Sequence, residues 1–190
     1  MESFRNEPYS DFSTAEPRAA YLDALETVAT KLGGHVPLII DGKPVATDDR
    51  ITSIDPAQPE VVVGTTGLAS RAEAQLAVDA AARAFRDWSR RPVEERAGLV
   101  HRIGDLMAER KFDLSAWMTR EAGKNWVESE ADVAEAIDFC RFYAHQAVRL
   151  AEPIPVVDYP GESNESFLIP MGQETAHILP HSFPVEILNS

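Results

Sequence analysis

Residues 121–143 read EAGKNWVESEADVAEAIDFCRFY, and how this stretch divides decides the fold. Gly123 and Asn125 stop one helix and Ser129 or Glu130 starts another, so the spacing predicts a helix end, a tight turn and a long second helix. Val133, Ile137, Cys140, Ala144 and Val148 recur along that helix at steps of three and four and form a core stripe. A second face runs through Asp132, Glu135, Phe139, Phe142, Tyr143 and Gln146, setting carboxylates beside aromatic rings where a surface helix would be polar throughout. A carboxylate among rings is paired by a cation or takes a raised pKa. Glu135 therefore has two readings: an edge carboxylate reaching solvent or an arginine, or a member of a pocket.

Working outward, the segment before it is helical. Ser70 and Glu73 stand at capping-box spacing, and Ala77, Ala81, Ala84, Phe85 and Trp88 supply a stripe rich in small residues. Pro92 suits a first helical position, and Leu99, Val100, Ile103, Leu106 and Met107 carry the next stripe, with Leu114, Trp117 and Met118 marking a shorter helix that ends at Gly123. These helices are expected to bury their stripes on a sheet, yet the chain shows few candidate strands for one.

The earlier part is rich in strands. A polar arm, residues 1–12, leads to a capping box at Ser13 and Glu16 and a helix striped by Leu22, Leu25, Val28 and Leu32, closed by Gly33-Gly34. Asp41-Gly42 between Val36–Ile40 and Lys43–Ala46 predicts a hairpin, and Pro37 and Pro44 confine it to an edge. Ile51–Ile54 and Glu60–Val63 are two more extended pieces joined by a turn, with Gly64 closing the second.

After Leu150 the chain is extended again. Ile154–Tyr159 and Glu165–Ile169 flank a turn, an edge hairpin of the kind that pairs with another subunit. Residues 173–190 read as a poor strand, a proline-bracketed turn and an apolar helix start, which looks like an interrupted element.

Composition excludes several function classes. With 44% hydrophobic and 26% charged residues the 190-residue chain is of globular type, and its net charge of −13 opposes unaided binding to nucleic acid or an anionic membrane. A single cysteine rules out an internal disulfide framework, and the N-terminus has neither a signal core nor transit-peptide character, so a cytoplasmic location is expected. No P-loop, GxGxxG, HExxH or CxxC occurs, and no metal site is expected.

Six blocks, in order, carry a family resemblance: FRNEP (4–8), PLIIDG (37–42), VVGTT (62–66), EAGKNWVE (121–128), ADVAEAIDF (131–139) and YPGESNES (159–166). Over Phe4 to about Gly172 the chain resembles the N-terminal segment of the aldehyde dehydrogenase superfamily, most closely its 1-pyrroline-5-carboxylate (glutamate semialdehyde) dehydrogenases. The resemblance implies an α/β fold: part of a cofactor-binding domain over residues 1–150, helices plus edge strands with an incomplete sheet, and a projecting oligomerisation hairpin at 151–172. Residues 173–190 would be a degenerate start of the cofactor-site strand and catalytic loop, truncated.

The family chemistry implied is oxidation of an aldehyde by a cysteine thiolate, with NAD as hydride acceptor and a glutamate assisting hydrolysis. Both residues lie downstream of this chain in the family, and Cys140, in the core stripe, reads as a structural thiol. The family's PWNFP loop aligns with Pro180-His181-Ser182-Phe183-Pro184, which places Ser182 at the oxyanion position in place of an asparagine. By the same resemblance Glu135 borders the substrate entrance, Phe183 the aldehyde tunnel, and Leu179, Pro180 and His181 the nicotinamide side. The expected partners are a small aldehyde and further copies of the chain joined through the 154–169 hairpin. The competing expectation is a non-catalytic fragment that associates with a full-length relative.

Overall fold

The computed structural model describes residues 4–168. Its elements run α1 (Ala15–Ala29), β1 (Gly34–Val36), β2 (Leu38–Ile40), β3 (Lys43–Val45), β4 (Arg50–Asp55), β5 (Gln58–Gly67), α2 (Arg71–Trp88), α3 (Val93–Glu109), α4 (Lys111–Ala122) and α5 (Trp126–Leu150). The strands form two small sheets: β1 lies parallel to β5 with β4 antiparallel on the other side, and β2–β3 is a separate hairpin. Asp41 (φ 55°) and Gly42 (φ 70°) are both left-handed, as a two-residue hairpin turn requires.

Two cores hold the helices. Met107 of α3, Leu114 and Met118 of α4, and Val133, Ala136 and Ile137 of α5 form one, and Val28, Val63, Ala116 and Trp117 tie α1 and β5 to α4 in the other. Short α4 therefore lies in the middle, and five consecutive residues, Leu114 to Met118, are buried. The apolar period of α5 puts Val133, Ile137 and Ala144 inward, with Cys140 and Val148 half-buried at its margin.

Several details depart from the sequence reading, each for a local reason. Helix α5 starts at Trp126, before Ser129, because the Asn125 side chain caps it by accepting from the Glu128 N–H at 3.0 Å. The Ser13–Glu16 capping box does not form. Instead Asp11 folds the chain, its carboxylate accepting from Ser13 N–H and its carbonyl from Thr14 N–H, and α1 begins without a side-chain cap. Tyr21 rather than Leu22 is buried on α1. Val36 pairs with Thr66 in the parallel ladder and not in the hairpin, since Pro37 breaks the strand, and Gly64 lies inside β5, which runs on to Gly67. The capping box at Ser70 and Glu73 forms in full.

The helices also find partners in one another: α3 buries Ala97, Gly104 and Met107, leaving Leu99, Ile103 and Leu106 exposed. Beyond α5, Ile154 and Ser166 make an isolated antiparallel bridge and no strand pair is present among the described residues. Pro153, Pro155 and Pro160 remove backbone donors from one arm of the expected hairpin.

Candidate functional site

The outer face of α5 and the N-terminal arm enclose a groove of about 510 Å³. Its floor is Ala131, Asp132, Glu135, Asp138, Phe139 and Phe142 on α5, and its far wall is Phe4, Asn6 and Tyr9. The rings are mutually packed: Phe139 stacks on Tyr143 at 5.8 Å between centroids, and Phe4 meets Phe142 edge-on at 5.3 Å. Even so, half of Phe139 and a larger share of Tyr9 stay in contact with solvent. Water-exposed rings beside carboxylates form a surface that can hold a ligand with both an apolar body and a polar end.

The carboxylates have separate duties. Asp132 is ion-paired with Lys124. Asp138 accepts from the Asn6 side-chain amide at 2.6 Å and the Glu7 N–H at 2.7 Å. Glu135 is exposed and lies on the groove floor.

Behind the groove lies a chain of charges. Glu130 is only 2% exposed; it accepts from the Ser10 N–H at 2.9 Å and the Ser10 hydroxyl at 2.5 Å and pairs with Lys111 at 2.9 Å. Lys111 also reaches the Pro8 carbonyl and Glu7, while Glu7 pairs with Arg141 at 2.8 Å, and Arg141 with Asp105 at 3.0 Å. Burial alone would raise the Asp105 carboxyl, but Arg141 and His101 outweigh it and hold it below the ordinary carboxylate range. None of Glu7, Lys111, Glu130 or Arg141 was given a charge partner by the sequence reading, since each finds its partner far away in sequence.

Cys140 lies half-buried in α5, and burial pushes its thiol above the ordinary range, only partly offset by Arg141. A thiol kept protonated is a poor nucleophile, consistent with a structural role. Ser182, Phe183, Leu179, Pro180 and His181 lie outside the described residues. Among the described residues no glycine-rich turn opens a helix: α2, α3 and α5 are preceded by Ser70, Pro92 and Asn125. A second cavity, between Lys31, Ser53, Thr65, Trp117 and Glu121, measures about 40 Å³, room for a water and not for a nucleotide.

A family model, described as the aldehyde dehydrogenase family, matches residues 44–190. The chain belongs to the aldehyde dehydrogenase family. Within it, a 1-pyrroline-5-carboxylate dehydrogenase of Geobacillus thermodenitrificans is 43% identical over 188 residues, covering 99% of this chain and 36% of that protein. The enzyme of the same name from Bacillus subtilis is 38% identical over 186 residues. Among solved structures, a 1-pyrroline-5-carboxylate dehydrogenase from Thermus with bound NAD superposes with a TM-score of 0.85 at 49% identity, over 88% of this chain and 33% of that one. The Mycobacterium tuberculosis enzyme follows at 0.76 and 29%. This aldehyde dehydrogenase chain therefore spans about a third of the length of the relatives it matches, and its mixture of helices with incomplete sheets is like their N-terminal part.

Proposed function

We propose that this chain serves the NAD-dependent oxidation of glutamate semialdehyde, the open form of 1-pyrroline-5-carboxylate, to glutamate. The observation that carries the reading is its similarity, over 99% of its residues, to proteins bearing that enzyme's name. Glu135 and the rings of Phe139 and Phe142 border the substrate path, with Phe183 beside the aldehyde, Leu179, Pro180 and His181 on the nicotinamide side, and Ser182 at the oxyanion. NAD supplies the hydride acceptor when bound. The division into a cofactor-domain part (1–150), an oligomerisation hairpin (151–172) and a following segment (173–190) belongs to the same reading, as does a cytoplasmic location. No helix among the described residues is long and apolar enough to cross a membrane.

A second reading is association without catalysis, the chain joining copies of itself or a full-length relative through the hairpin. It is favoured by two features: the sole cysteine is a half-buried thiol of raised pKa, and Val157, Tyr159, Phe167 and Leu168 are each more than half exposed beyond α5. The deciding experiment is purification of the chain, light scattering for its mass, and NADH production with glutamate semialdehyde. Turnover supports the catalytic reading, and its loss in Cys140→Ser would identify the nucleophile. A folded oligomer without turnover leaves the second reading.

A further inference from the structure

The N-terminal arm is attached in an unusual way. Residues 6–10 make no ladder with any strand; the hydrogen bonds that hold them run to side chains, the Glu7 N–H to Asp138 and the Ser10 N–H to Glu130. The arm is rooted at Phe12, whose ring packs edge-on to Tyr21 at 5.5 Å and to Trp126 at 6.1 Å. Outward from that root its fastenings are ion pairs of Glu7 with Arg141 and Lys111, side-chain hydrogen bonds of Asn6 and Ser10, and the edge contact of Phe4 with Phe142, and its tip supplies the far wall of the groove.

Backbone pairing would make such a segment part of the sheet and costly to lift. Carboxylate fastenings are different, because each charge regains water when the segment leaves, and Glu130 would keep Lys111 as a partner. Glu130 is buried where Ser10 of the arm and Lys111 meet it. We infer that the arm is a strap latched by Ser10 on Glu130 and by Glu7 on Arg141, and that latching completes the groove carrying Glu135. Glu130 is a positioning residue: it contacts no ligand and acts by holding Phe4 and Tyr9 in place as a wall. The inference rests on the groove being the substrate side, but its test reads the strap and not the ligand, so either idea can fail alone.

The test uses the whole chain carrying Cys140→Ser and a reporter cysteine, Ala131→Cys, on the groove floor. Two rates are followed: tryptic cleavage after the exposed Arg5, and alkylation of the reporter by iodoacetamide. Introducing Glu130→Gln is expected to raise both about tenfold while cleavage after Arg90, in the loop between α2 and α3, stays unchanged. If that variant does not fold, Ser10→Ala removes the hydroxyl half of the latch, leaving the backbone N–H, and is expected to move the same two rates in the same direction by a smaller factor. The inference is overturned if cleavage after Arg5 does not change, if cleavage rises while alkylation does not, or if cleavage after Arg90 rises in step with that after Arg5.

Discussion

Asp105 lies between Arg141 at 3.0 Å and His101 at 3.3 Å, and its carboxyl is held below the ordinary range despite partial burial. A folded pKa below the unfolded one means that the unfolded chain takes up the proton first, so this group's stabilisation is full above about pH 4 and is lost on acidification below it. Denaturant titrations across that range are expected to show the acid-side fall, and Asp105→Asn to flatten it. Cys140 works in the opposite sense: its raised thiol predicts slow alkylation at neutral pH that accelerates only at alkaline pH, measurable with a chromogenic thiol reagent. Glu135 and its neighbouring rings were legible in the sequence, because a helix repeats every 3.6 residues and one face can be read without knowing the rest. The charges that latch the arm were not. Lys111 reaches Pro8 across 103 positions and Arg141 reaches Glu7 across 134, and no local pattern encodes such a pairing.

At the scale of elements, two glycines fix how helices meet their neighbours. Gly123 ends α4 in the left-handed conformation at φ 67°, and a Cβ there would stand 2.8 Å from the Pro56 ring in the β4–β5 turn. Gly123→Ala is expected to cost at least the roughly 1–2 kcal/mol of a left-handed non-glycine residue. For a chain of this size that lowers the melting temperature by about 2–8 °C, as calorimetry would show. Gly104 lets α3 approach α5, where an added Cβ would lie 3.1 Å from that of Cys140. Gly104→Val is expected to destabilise by about 1–3 kcal/mol through overpacking, as denaturant titration would show. The turn at Asp41-Gly42 and the cap at Ser70 were readable because their chemistry is local. The parallel pairing of β1 with β5 was not, since a three-residue strand shows no period of its own.

The described part of the molecule leaves several large apolar side chains in solvent. Leu76 and Trp88 on α2 and Leu99, Ile103 and Leu106 on α3 are exposed, each by 40% or more. An exposed set of this kind is a site of association or aggregation. Replacing Leu99 and Ile103 by Gln is expected to lower the mass seen by light scattering while changing stability by no more than about 0.5 kcal/mol per exposed position. The sequence reading anticipated helix stripes in need of a sheet, and that need remains visible on α3. It did not anticipate that α3, α4 and α5 would bury their other faces on one another, because a single helix does not announce which of two apolar faces meets a neighbouring helix.

The arm also has a place in time. Its fastenings join residues more than 100 positions apart, so loop closure must be overcome before any of them forms, whereas the contacts between successive helices are short in sequence. The strap is then the last piece to settle and the first to lift. Substitutions at Glu7 or Ser10 should steepen the unfolding rate and leave the refolding rate nearly untouched, an asymmetry that a pair of stopped-flow experiments would expose.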